Sequence, residues 1–112
     1  CAPRIERLSA GGGVLGLFPE TSYDEDTIRL RCGDILVVFS DGVNEAIDPK
    51  GEEFGETRLA QTACADQGLA ASDLCAQILD AVERYAAGAR PQDDMTLVVM
   101  RVKPELQLNL FG

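Results

Sequence analysis

The chain has 112 residues, 46% hydrophobic and 26% charged, the balance of one globular domain, or a piece of one, with a real core. Lys plus Arg number 10 against 19 Asp plus Glu, a net charge of −9 that makes nucleic acid and anionic membrane poor partners. Histidine is absent, which excludes Ser-His and Cys-His catalysis within the chain, and the four cysteines form no Cys-x-x-Cys pair, which argues against zinc.

In chain order, residues 1–8 read as the end of a strand entered from upstream, followed by a glycine-rich turn over 9–13. Val14, Leu15, Leu17 and Phe18 then make a short apolar segment stopped by Pro19. Gly11, Gly13 and Gly16 formally match a dinucleotide-binding pattern. That motif needs a helix directly after it, and Pro19 leaves no room for one. Residues 26–32 alternate Ile28, Leu30 and Cys32 with Thr27, Arg29 and Arg31, as in a half-exposed strand. Gly33-Asp34 supplies a turn, and the unbroken apolar run 35–40 returns beside it as a strand buried on both faces. Residues 43–47 suffice for one helical turn before the exposed loop Asp48-Pro49-Lys50-Gly51.

Two helices are expected next. The first spans about 56–66, with Leu59, Ala60, Ala63 and Cys64 on one face and Gly68 beyond its end. The second is capped by Ser72, opens with Asp73, and carries Leu74, Cys75, Ile78, Leu79, Val82, Tyr85 and Ala86 in a stripe that ends before Gly88. Cys64 and Cys75 on apolar faces read as free thiols in a reducing compartment, and with no signal peptide or membrane-length apolar run the expected location is cytoplasmic. A last strand covers 95–102, and Leu106, Leu108 and Leu110 alternate in a tail over 103–112.

Chemistry gathers at two acidic strand ends. Asp41 follows the buried run directly, and Asp93-Asp94 precede the last strand. Taken singly, an Asp-Gly is a turn or a helix cap, and a pair of loop acids is solvated. Brought together, desolvated carboxylates repel unless protonated or bridged by a cation, so the pattern suggests a site for a hard divalent ion.

Four features together resemble the metal-dependent type 2C (PPM) serine/threonine phosphatases. They are Ser40-Asp41-Gly42-Val43, Asp93-Asp94-Met95-Thr96, the Gly-Asp-Ile-Leu entry at Gly33, and Gly-x-x-Phe-Gly from Gly51 to Gly55. The pattern is most similar to the bacterial branch of the sporulation stage II E phosphatase and the stress-response phosphatases that control sigma factors. Leu15-Gly16-Leu17 after a glycine-rich loop fits that branch as well.

The resemblance implies an α+β fold: part of an α-β-β-α sandwich of mostly antiparallel sheets with a flanking helical pair, this chain supplying strands to both sheets. It also implies two Mn2+ or Mg2+ ions that activate water for in-line attack on a phosphoserine or phosphothreonine protein. Position by position, Asp41 and Asp93 match metal ligands acting through that water, Asp94 matches a supporting position, and Gly42 lets the backbone pass close to the metal centre. The family's upstream Gly-Asp motif has no counterpart before Phe39. Residues 1–102 therefore correspond to the C-terminal portion of the phosphatase domain, with 103–112 as a tail. Apolar sheet left uncovered would invite a homodimer or association with the missing N-terminal half. The substrate implied is a phosphorylated regulator such as an anti-sigma-factor antagonist. The competing class is a non-catalytic binding module from a degenerate phosphatase. A phosphoacceptor receiver domain fails because its acid pair must come first, not last.

Overall fold

A computed structural model describes residues 2–9, 11–18, 33–65, 68–89 and 94–102. The fold is α+β: a four-stranded antiparallel sheet and three helices. The strands are β1 (Ala2–Leu8), β2 (Gly12–Phe18), β3 (Ile35–Ser40) and β4 (Leu97–Arg101), joined in the order β1-β2-β3-β4. Between β3 and β4 the chain makes α1 (Asp41–Asn44), α2 (Gly55–Cys64) and α3 (Ala71–Tyr85).

Register explains which residues become core. Ile5 pairs with Leu15, Leu15 with Val37, and Val37 with Val99, so one row of apolar side chains crosses the whole sheet on a single face. On that face Leu15, Leu17, Ile35, Val37 and Phe39 are buried against Leu59, Ala60 and Ala63 of α2 and Leu74, Ile78 and Val82 of α3. The spacing of Leu74, Ile78 and Val82 keeps them on one side of α3, which lies against β4, while α2 packs on α3, β1 and β2. Phe54 closes the core from the loop before α2. Its ring meets Tyr85 edge-on at 5.4 Å, and the Arg58 guanidinium lies 4.7 Å from the centre of the Tyr85 ring.

Several expectations change. The run 35–40 is not buried on both faces: Ile35, Val37 and Phe39 are buried, whereas Leu36, Val38 and Ser40 are half-buried, because the described helices lie on one side only. The described strands all lie in one sheet rather than being divided between two. The expected hairpin partner at 26–32 lies outside the described residues, and both edges of β3 are taken by β2 and β4. Gly33 and Asp34 instead extend the β4 pairing, through Gly33 N to Val102 O at 2.9 Å and Val102 N to Asp34 O at 2.9 Å. Gly12, Gly13 and Gly16 all lie within β2 rather than in a turn that opens a helix, which removes the dinucleotide reading.

The helix from Ala71 begins one residue before Ser72, and its cap, Ala70, uses no side chain. Leu74 N donates to the Ala70 carbonyl at 2.9 Å, the first bond of the helical ladder. Cys64 is disulfide-bonded and Cys75 is a free thiol, so only one of the two expected free thiols is free. Helical periodicity places a cysteine on a face but carries no information on what that face meets. The loop after α1 is held as expected: Asp48 Oδ1 accepts from Lys50 N and Glu52 N, each at 2.9 Å, and Gly51 turns the chain at φ +85°. No helix among the described residues is long and apolar enough to cross a membrane. The tail over 103–112 is outside the described residues except for its boundary with Val102.

Candidate functional site

Asp41 stands where β3 ends, as the first residue of the one-turn helix α1. Its backbone N–H donates to Gly11 O at 2.8 Å, fastening the strand end to the start of β2. The carboxylate is mostly shielded, with 23% of the side chain exposed, and its Oδ1 accepts from an Arg7 guanidinium nitrogen at 2.9 Å. The other terminal nitrogen of Arg7 donates to Glu56 Oε1 at 2.8 Å, in the first turn of α2. Hydrogen bonding to Asp41 is the main reason the Arg7 guanidinium is held above its ordinary pKa; partial loss of solvent opposes this and the charges of Asp41 and Glu56 reinforce it.

The two acidic strand ends meet, which spacing alone did not establish. Ser40 Oγ donates to Asp94 O at 3.1 Å and accepts from Thr96 N at 2.8 Å, while Ser40 N donates to Thr96 O at 3.0 Å. One hydroxyl thus pins the approach to β4 against the end of β3, beside Asp41. Asp94 is exposed on this approach, and Asp93 lies outside the described residues. Gly42 is buried within α1 immediately after Asp41.

Glycines make room for this corner. A Cβ on Gly13 would come within 2.7 Å of Phe39 Cζ and 3.0 Å of Glu6 O, so the bare backbone lets the Phe39 ring lie flat beneath the strand end. Gly11, at φ +82°, turns the chain into β2 with its α-carbon facing Asp41; a Cβ there would stand 3.7 Å from Oδ2.

Arg7 and Glu56 were not singled out from sequence, and Ser40 was quoted only as part of the Ser40-Asp41-Gly42-Val43 motif, without a role. Arg7 carries a readable signal, since alternation in β1 puts it on the face of Ile5, an unusual place for a guanidinium without a carboxylate to meet. Nothing in the sequence says which carboxylate that is.

The donor chemistry suits Mg2+ or Mn2+ in kind, because Asp41 offers hard carboxylate oxygen on a rigid strand end. It falls short in number: among the described residues no group of three His, Cys, Asp or Glu side chains gathers closely enough to hold a metal ion. Asp41 would hold such an ion only together with carboxylates beyond those the described residues gather here.

The sequence matches the family model described as Stage II sporulation protein E (SpoIIE) over residues 3–103. It is 28% identical over 98 residues to Protein IcfG of Synechocystis sp. (strain ATCC 27184 / PCC 6803 / Kazusa), a match that covers 84% of this chain and 15% of IcfG. The chain thus spans a small part of that relative's length. No solved structure matches. Members of PPM-type phosphatase families generally depend on Mg2+ or Mn2+. With nearly its whole length matched and an aspartate fixed at the strand end where such chemistry is expected, the chain belongs to the SpoIIE family of PPM-type phosphatase domains.

Proposed function

We propose that residues 1–102 are the C-terminal portion of a metal-dependent phosphoserine/phosphothreonine protein phosphatase domain, with Asp41 and Asp93 as metal ligands and Gly42 and Asp94 in support. The observation that carries this is the meeting of the two acidic strand ends: Ser40 bonds to Asp94 O and Thr96 N one residue before Asp41. Two Mg2+ or Mn2+ ions would supply water activation and neutralise the phosphoryl oxygens, chemistry that requires neither histidine nor a covalent nucleophile. The chain's own part is to hold Asp41 rigidly, in the shielded corner beneath Gly11, and to keep the β4 approach beside it.

The substrate in this reading is a phosphorylated regulatory protein, of which an anti-sigma-factor antagonist is the kind the family suggests. Nucleic acid is not a partner, in keeping with the net charge of −9. The uncovered sheet face would be met by the N-terminal half of the domain or by a second copy. A cytoplasmic location belongs to the same proposal, and the Cys64 disulfide weighs against it.

The test is Mn2+-dependent phosphate release from a phosphoserine protein, by this chain and by one extended upstream, each with Asp41→Asn and Asp93→Asn. Turnover is expected only from the extended chain, and either substitution should abolish it. If the extended chain is folded and inert, the domain is a binding module rather than an enzyme; if this chain alone turns over robustly, the shared-centre reading fails.

A further inference from the structure

Strand β1 has one edge bonded to β2, and among the described residues no strand pairs with the other. The Glu6 carbonyl faces β2, since it stands 3.0 Å from where a Gly13 Cβ would be. Backbone groups alternate in direction along a strand, so the N–H and C=O of Ile5 and Arg7, and the C=O of Pro3, point to the open edge. Such an edge is a template for another extended strand. Beside it, on the helix-covered side, Pro3 and Ile5 of β1 and Thr57, Ala60, Gln61 and Cys64 of α2 line a groove of about 470 Å3. The inward side chains of an added strand would lie there.

The charges of β1 say which strand fits. Arg4 and Glu6 lie two residues apart on one face, with Arg4 Nη2 3.4 Å from Glu6 Oε1 and the Glu6 side chain 61% exposed. We propose that the occupant is a second copy of this chain, its β1 pairing antiparallel with this one about a two-fold axis at Ile5. That register sets Arg4 opposite Glu6 of the second copy and Glu6 opposite its Arg4, so charges alternate in sign around the axis. Moving the axis to residue 4 or to residue 6 would instead oppose two arginines or two glutamates, so the same charges select the register. Ile5 then exchanges two backbone hydrogen bonds with its counterpart, and Arg7 N–H donates to Pro3 O on each side. Pro3 has no N–H to complete the outer bonds, which keeps the pairing short and reversible. Pairing also braces the strand that carries the Arg7 guanidinium to Asp41. The inference stands apart from the phosphatase reading and uses none of its chemistry.

The experiment is sedimentation over a range of concentrations up to millimolar, with amide exchange at Ile5 and Arg7. It compares the wild-type chain, Arg4→Glu, Glu6→Arg, an equimolar mixture of those two, and Met100→Lys. Thermal melts confirm that each variant is folded. Wild type is expected to dimerise, with exchange at Ile5 and Arg7 slowing as concentration rises. Each single charge substitution opposes like charges at both pairs and should weaken the dimer about tenfold. In the mixture the two variants complement each other, and dimers of near wild-type affinity should return. Met100→Lys should leave the concentration-dependent protection at Ile5 in place. A wild-type chain that stays monomeric throughout overturns the proposal, as does association that neither charge substitution weakens or that the mixture does not restore. Association lost in Met100→Lys, with exchange at Ile5 independent of concentration, belongs to the open sheet face and overturns it as well.

Discussion

On the helix-covered side of the sheet, Leu15, Leu17, Ile35, Val37 and Phe39 are at most 2% exposed, whereas on the other side Val98 and Met100 of β4 are each 47% exposed. Val14, Leu36 and Val38 complete an apolar band across that second face, paired Val14 to Val38 to Val98 and Leu36 to Met100. In β2, β3 and β4 both faces are largely apolar, and what differs is whether the described residues supply a cover. The covered face is a finished core. Among the described residues the open face is a half-core, with no element packed over its apolar band.

The comparison predicts a gradient of mutational cost. Phe39→Ala, on the covered face, should destabilise the chain most, by about 3–5 kcal/mol in denaturant melts, since both its transfer energy and its packing are lost. Gly13→Ala follows: the added methyl meets the Phe39 ring and the Glu6 carbonyl, and overpacking of this kind costs about 1–3 kcal/mol. Ser40→Ala removes two hydrogen bonds at a partly solvated place, for a loss of about 1 kcal/mol. It should also accelerate amide exchange at Thr96, which no core substitution of equal cost would do selectively.

Met100→Lys, on the open face, should change the stability of this chain by less than about 0.5 kcal/mol and reduce self-association in sedimentation. In a chain extended upstream, the same substitution should become as costly as a core change. If Met100→Lys is already severe in the isolated chain, the open face is covered by a second copy in solution.

Much of the covered side was legible in the sequence, because it is periodic. The four-residue spacing of Leu74, Ile78 and Val82 and the apolar run of β3 each state a local geometry that the structure keeps. The errors fall where one face of an element depends on something distant. An unbroken apolar run looks the same whether one layer or two will cover it, so β3 was assigned a second cover that the described residues do not provide. Likewise Gly33-Asp34 resembled a hairpin turn, though its backbone pairs with Val102. At the candidate site, Asp41 was legible from its abrupt position after the apolar run. Its counter-ion Arg7 was not, because the pair joins residues 34 apart and only strand register brings them together.

The Ser40 hydroxyl has a consequence for the order of events during folding. It joins residues 54 apart in sequence, and every described helix lies in the loop that it closes. Such a contact is among the last to be rewarded, because the entropy of a long loop must be overcome first. An incompletely folded chain would hold Asp41 on its hairpin of β2 and β3 with the β4 approach still elsewhere. The corner at Asp41 would then be completed late and all at once, making amide protection at Thr96 a reporter of finished folding.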